Sequence, residues 1–276
     1  MVKILGIVNV TPDSFWSGSR VQDKATLLEL VRLMISQGAD AIDIGGCSTR
    51  PNAVQASAEE EMERLECGLD AIREEFPDIM LSVDTYRPRI AERCVKQWKV
   101  NIINDVYGGD ADMYGVVAET GAQYVLTWAE EIKQNAVGEM KLFFRDRLQK
   151  LATAGVDVRK KVILDPGYGF GKTLEQNYAV LAHQGELREL GLPILAGLSR
   201  KSMAWKLLKI TPADALPATI AMNTVALLNG ADWLRVHDVQ EAVHTVKIVQ
   251  ALILKYGTSF LNSQFSTLNS QLLNHG

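Results

Sequence analysis

Short, almost uninterrupted apolar runs alternate along the chain with longer stretches in which apolar residues recur every three or four positions. The runs are Lys3–Val10, Ala41–Gly46, Leu81–Thr85, Ile102–Val106, Tyr124–Trp128, Val162–Gly167, Pro193–Ser199 and Trp233–Asp238. Continuous hydrophobicity over such lengths predicts strands buried on both faces of a parallel sheet. The stretches between them predict helices. Ser57 followed by Glu60, Thr173 by Gln176 and Asp238 by Glu241 each supply a cap residue with a partner three positions on. The helix after Ser57 carries Leu65, Leu69, Ile72 and Phe76 on one stripe, a core-facing pattern. Eight strands alternating with helices over about 250 residues predict an α/β fold, a (β/α)8 TIM barrel. A doubly wound open sheet is the competing α/β reading. No internal domain boundary is visible, so residues 1–256 are expected to form one catalytic domain. The segment 257–276, rich in Ser, Asn and Gln, is expected to be a tail, frayed or loosely packed outside the barrel.

Composition narrows the setting. Of 276 residues, 47% are hydrophobic and 22% charged, ordinary for a globular chain. No apolar run approaches the roughly 20 residues of a membrane span, and no basic segment precedes a cleavable apolar stretch. Cys47, Cys67 and Cys94 form no CxxC pair and are odd in number, which argues against a disulfide framework and for a reducing cytoplasm. A net charge of −4 speaks against a nucleic-acid partner. An anionic ligand would need a local cluster of Lys and Arg.

The polar residues fall where the strands end: Asn9, Asp43, Asp84, Asn104 with Asp105, Asp165, Ser199 with Arg200 and Lys201, and Arg235 with His237. In a (β/α)8 barrel these ends meet at the face that carries the chemistry. Any one of them alone reads as a helix cap or ion-pair partner; so many together do not. They sort into two sets. Arg50, Arg200, Lys201 and Arg235, joined by His237, suit phosphate or pyrophosphate, because guanidinium donors match phosphate oxygens and Lys adds a point charge. Asp84, Asn104 and Asp165 suit a flat nitrogen heterocycle, since a carboxylate accepts two parallel N–H bonds from a 2-aminopyrimidinone edge.

Other chemistries find less support. In Asp165-Pro166-Gly167-Tyr168-Gly169-Phe170-Gly171-Lys172-Thr173, Pro166 stands where a phosphate-binding P-loop needs Gly, and the glycine spacing fails the dinucleotide fingerprint. A tight turn bringing backbone close to a planar ligand, with Thr173 capping the next helix, is the better account. Gly45-Gly46 likewise marks a strand end leading into a loop. His183, His237, His244 and His275 lack zinc-ligand spacing, and no nucleophile elbow is present. Trp98 and Trp205 lie in helical patterns and read as packing residues.

Seven segments in order resemble the motifs of the dihydropteroate synthase family of pterin-binding enzymes. They are Asn9–Phe15, Asp43–Gly46 with Ser48–Pro51, Ser82–Thr85, Asn104–Val106, Asp165–Lys172, Ser199–Ser202 and Arg235–Asp238. The resemblance implies a transferase of folate biosynthesis, condensing 6-hydroxymethyl-7,8-dihydropterin diphosphate with 4-aminobenzoate to give 7,8-dihydropteroate and pyrophosphate. It implies that Asp84, Asn104, Asp165 and Lys201 hold the pterin and that Asn9 binds Mg²⁺ with the diphosphate. It further implies that Arg50, Arg235 and His237 grip the leaving pyrophosphate. Thr49, Pro51, Phe170 and Ser202 would line the aminobenzoate pocket, where sulfonamides bind in this family. Family members are usually homodimers.

Two segments depart from the family pattern. Trp16-Ser17-Gly18-Ser19 stands where an Asp and paired glycines are usual, so Ser17 replaces an acid of the first loop. Thr127-Trp128-Ala129-Glu130 stands where His-Met-x-Gly is common, and Trp128 either stacks under the pterin or fills space. Two other functions remain open. A pterin-dependent methyltransferase working with corrinoid proteins shares the Asp/Asn pocket but has no need of Ser-Thr-Arg-Pro or Arg-x-His. A catalytically silent pterin-binding paralogue is suggested by the altered first loop.

Overall fold

The computed structural model of the chain describes residues 1–10, 20–47 and 56–257. Eight parallel strands form: β1 (Lys3–Asn9), β2 (Ala41–Gly45), β3 (Met80–Asp84), β4 (Ile102–Asp105), β5 (Gln123–Thr127), β6 (Val162–Asp165), β7 (Leu195–Ala196) and β8 (Trp233–Val236). All eight sequence runs are strands. The ladder order is β6-β5-β4-β3-β2-β1-β8-β7, and a parallel bridge between Leu164 and Ile194 joins its two ends. This is a nearly closed (β/α)8 barrel. β7 is shorter than its apolar run because the chain turns at Leu198–Lys201, closed by Lys201 N–H to the Leu198 carbonyl, with Arg200 left-handed (φ 52°).

Among the described residues ten α-helices surround the strands: α1 (Arg20–Gln37), α2 (Ala58–Glu75), α3 (Pro88–Trp98), α4 (Ala111–Thr120), α5 (Ala136–Thr153), α6 (Val158–Lys161), α7 (Leu174–His183), α8 (Ser202–Leu208), α9 (Leu216–Leu228) and α10 (Val239–Tyr256). Two of the three expected capping boxes form, Ser57 with Glu60 and Thr173 with Gln176. The third does not: the Asp238 side chain makes no cap hydrogen bond, because its carboxylate is taken by Arg200. Trp98 is buried and its indole donates to Asp70, while Trp205 packs half-buried against the core. The expected tail lies outside the described residues except for Gly257.

Two apolar layers result. The larger fills the space between sheet and helices. The smaller closes the barrel floor with one residue per strand: Leu5, Ala41, Ile102, Val125, Ile163, Leu195 and Trp233, with Met80 packed against them. Successive side chains of a strand point to opposite faces. Two residues further along, the inward positions are Ile7, Asp43, Ser82, Asn104, Thr127, Asp165, Gly197 and Arg235. On six of the eight strands the barrel therefore changes from hydrocarbon to polar within one step of the pleat, β1 with Ile7 and β7 with Gly197 being the exceptions.

Ile102 is fully buried in the floor. Ile102→Ala should cost about 2–5 kcal/mol in urea unfolding, as for other buried truncations, while the polar tier above keeps its ligand affinity. A smaller cost would show that the floor collapses around the gap.

Candidate active site

Strand register sets the site's first row. Asn9 pairs with Gly45, Gly45 with Asp84, and Asp84 with Asn104, across β1 to β4. Gly45 has no side chain to separate its neighbours: a Cβ there would stand 3.6 Å from Asn9 Oδ1 and 3.5 Å from the Asp84 Cβ. Thr127 pairs with Asp165 on the opposite wall.

At the centre lies Arg235. Its Nε donates to Asp43 Oδ2 and its Nη2 to Asp84 Oδ2, both at 2.6 Å. Asn104 Nδ2 donates to the same Asp43 oxygen at 3.0 Å. Asp43 is fully buried and Arg235 nearly so. Burial of unpaired charges would be costly, and the one guanidinium gives both carboxylates a partner. The neighbouring carboxylates hold the guanidinium firmly charged against its burial. In the sequence Asp43 stands at a strand end, outside both sets of candidate ligand-binding residues. Its signal was the alternation in Ala41-Ile42-Asp43-Ile44-Gly45, which puts an acid on the inward face of a buried strand.

The second wall is built around the turn after β6. Asp165 Oδ1 accepts from Gly167 N–H at 2.8 Å, and Gly167 has φ 65°. Any side chain at Gly167 is excluded, since a Cβ would lie 1.8 Å from the Trp128 carbonyl oxygen. Lys172 Nζ donates to the carbonyls of Gly167 (2.7 Å) and Phe170 (3.0 Å). Lys201 Nζ donates to Tyr168 O at 2.7 Å and lies 4.5 Å above the Phe170 ring centre. Phe170 and Ser202 are both half-buried.

At the third edge His237 is exposed. Its backbone N–H donates to Ser199 Oγ (3.2 Å), and the same oxygen lies 3.0 Å from its Nδ1. With one lone pair engaged, the hydroxyl is able to donate to Nδ1, an arrangement in which a neutral ring would carry its proton on Nε2.

The structure thus brings Asn9, Asp84, Asn104, Asp165, Phe170, Lys201, Ser202, Arg235 and His237 to one end of the barrel. Thr49, Arg50, Pro51 and Ser17 lie outside the described residues. Arg200, grouped in sequence with the anion-binding cations, turns away and pairs with Asp238. Asp105 faces outward and accepts from Tyr107 N–H and the Tyr124 hydroxyl. Trp128 is a packing residue. It is 2% exposed, donates its indole N–H to Glu130 O and meets Phe143 edge-on in the layer between sheet and helices.

Five buried polar atoms on the inward faces of β2 to β5 have no hydrogen-bond partner among the described residues: Asp43 Oδ1, Ser82 Oγ, Asp84 Oδ1, Asn104 Oδ1 and Thr127 Oγ1. Such atoms are costly unless a ligand or water satisfies them. Among the described residues no cluster of three His, Cys, Asp or Glu side chains could hold a metal, and no helix is long and apolar enough to cross a membrane.

The sequence profile of the pterin binding enzyme family matches residues 5–237. The chain is similar to the dihydropteroate synthase of Escherichia coli K12, 37% identical over 260 residues, with 91% of each chain covered. The chain belongs to the dihydropteroate synthase family of pterin-binding enzymes. Two solved structures extend the likeness. The family member from Clostridium difficile, crystallised in the presence of pteroic acid, superposes with a TM-score of 0.86 at 36% identity, covering 91% of this chain and 96% of that one. The Xanthomonas albilineans enzyme with 4-aminobenzoic acid gives 0.84 at 34% identity, covering 91% and 93%.

Electrostatics within the family's barrel mouth make a testable pH profile. Burial pushes the Asp84 carboxyl up to about 7, with Arg235 pulling the other way. Burial pushes Lys201 down to about 8, against the attraction of Asp165. A site needing Asp84 ionised and Lys201 protonated loses kcat/KM as pH falls through about 7 and again as it rises through about 8. A pH series on the protein and on Asp84→Asn checks this: the acid limb should vanish in the variant, and its persistence would assign it elsewhere.

Proposed function

We propose that the chain catalyses the dihydropteroate synthase reaction, joining 4-aminobenzoate to the methylene of 6-hydroxymethyl-7,8-dihydropterin diphosphate with release of pyrophosphate. The observation that carries this reading is the pairing of unsatisfied buried acceptors, Asp84 Oδ1 and Asn104 Oδ1, with Arg235 and Lys201 in one barrel mouth. The acceptors and Asp165 suit the amino and ring N–H donors of the pterin.

In this proposal the methylene carbon–oxygen bond breaks first, and its electron pair leaves on pyrophosphate. Arg50, Arg235 through its Nη1 and His237 through Nε2–H stabilise the departing anion. Asp84 and Asp165 stabilise the electron-poor pterin methylene that remains. The arylamine nitrogen then forms the new carbon–nitrogen bond and gives up a proton. Thr49, Pro51, Phe170 and Ser202 hold the aminobenzoate against that carbon. The donor set fits an ion carried in with the substrate, because Mg²⁺ takes few protein ligands and several phosphate oxygens. Asn9 would be its protein ligand, and when bound the ion would supply Lewis-acid neutralisation of the diphosphate.

We also propose a cytoplasmic homodimer. The three cysteines are free. A cavity of about 390 Å³ between α7, α8 and α9 is lined by Leu181, Ala204, Leu207, Leu208, Met222 and Val225 with other apolar residues and Tyr178. Leu207, Leu208 and Val225 are 53%, 52% and 41% exposed, and a second copy would cover them.

Coupled pyrophosphate release with both substrates and Mg²⁺ tests the reaction. Release dependent on 4-aminobenzoate supports it; pterin binding without release would make the chain a silent paralogue. Asp84→Asn should weaken pterin binding by about 1–3 kcal/mol, the cost of unmatched buried donors. Arg235→Ala should abolish turnover and also destabilise the fold by about 3–5 kcal/mol, since two buried carboxylates lose their counter-charge. Leu208→Asp should yield a monomer in sedimentation; an unchanged mass would clear this face of a dimer role.

A further inference from the structure

Arg200 is a cation beside the barrel mouth to which the proposed reaction gives no role. Its backbone is left-handed at φ 52°, a conformation costly for an L side chain and kept where surroundings over-determine it. Those surroundings are specific. The guanidinium holds both carboxylate oxygens of Asp238, through Nε to Oδ2 at 2.9 Å and Nη2 to Oδ1 at 2.8 Å. Its Nη1 donates to the carbonyls of Pro212 (3.2 Å) and Ala213 (2.7 Å). The backbone N–H donates to the buried Thr219 hydroxyl at 3.0 Å, which itself donates to Ala215 O.

The neighbours give this arrangement its meaning. Ser199 contacts His237, and Arg200 holds Asp238, so two consecutive residues of one turn grip two consecutive residues of the next. Two points of attachment fix orientation where one would leave a hinge. The reversal at Arg200 also sends adjacent side chains in opposite directions, Arg200 toward Asp238 and Lys201 toward the Tyr168 carbonyl and Phe170 ring. Asp238 stands where it would cap α10 and makes no cap bond. Local helix chemistry has been given up for the link between turns.

We propose that Arg200 is a positioning residue: with Asp238 it latches the turn bearing Lys201 to the turn bearing His237, and so sets the heterocycle's ammonium against the diphosphate's imidazole. The inference rests on the functional reading above and goes beyond it, since neither Arg200 nor Asp238 touches the reacting atoms. The bidentate fork is the working element, which Lys cannot reproduce.

The test compares wild type, Arg200→Ala, Arg200→Lys and Asp238→Asn by pyrophosphate release, with pteroic acid binding and thermal unfolding measured alongside. Wild-type turnover is the control for the functional reading and stands or falls independently of the variants. The expected result is a loss of about tenfold or more in kcat in each variant, as geometry at the reacting centre loosens. KM for 4-aminobenzoate should stay within about threefold, and the double variant Arg200→Ala with Asp238→Asn should be no worse than the singles. The readout a purely structural role would not move is the basic limb of kcat/KM. It should climb from about 8 by about one pH unit or more as Lys201 gains access to water. Folded variants with wild-type kcat and an unmoved basic limb would overturn the proposal. If Arg200→Ala does not fold, Arg200→Lys and Asp238→Asn decide the same question by the same limb.

Discussion

The arrangement of the barrel mouth depends on one guanidinium placed between two carboxylates. Arg235 rises from β8, Asp43 from β2 and Asp84 from β3, and they meet because closure of the sheet brings β8 beside β1. An acid as buried as Asp43 is tolerated only with a counter-charge, and Arg235 supplies it from a slightly more open position. Asn104 completes the link by donating to the oxygen that Arg235 also uses. None of these groups can relax independently. Their unsatisfied outer atoms therefore face the opening as fixed acceptors, with no reorganisation needed when a ligand arrives.

A second consequence is the separation of tasks along the barrel axis. The floor is hydrocarbon and contributes cohesion; the tier above is polar and contributes recognition. One step of the pleat divides them on most strands, so Ile163 and Asp165, or Trp233 and Arg235, belong to different problems though two residues apart. The βα turns add what strands cannot. Gly167 and Gly169, both at positive φ, let the backbone fold tightly over Asp165, and Lys172 and Lys201 tie that turn down by its carbonyls.

Much of this was legible in the sequence because buried parallel strands and their polar ends leave a strong pattern. The eight runs gave the strands, and two capping boxes gave helix starts to the residue. What failed were partnerships set by distance in space. Asp238 looks like a cap because Glu241 follows it, yet Arg200, 38 positions away in the chain, wins its carboxylate with a bidentate fork that a backbone N–H cannot match. Arg200 read as an anion ligand for the same reason: its charge was visible and its left-handed backbone was not. Trp128 was undecidable, since inward and outward faces differ by one residue, and the ladder with Asp165 places Thr127 inward and Trp128 outward. Asp43 was underrated because the sequence shows a strand's end more clearly than its inward face.

The ladder is thinnest between β6 and β7, where one bridge joins Leu164 to Ile194. Asp165 stands on one side of that seam and Lys201 just past the other. A molecule held by both would span the gap as a rivet spans two plates. Cohesion of the barrel and occupancy of its mouth would then be linked, so that seating the guest also braces the seam.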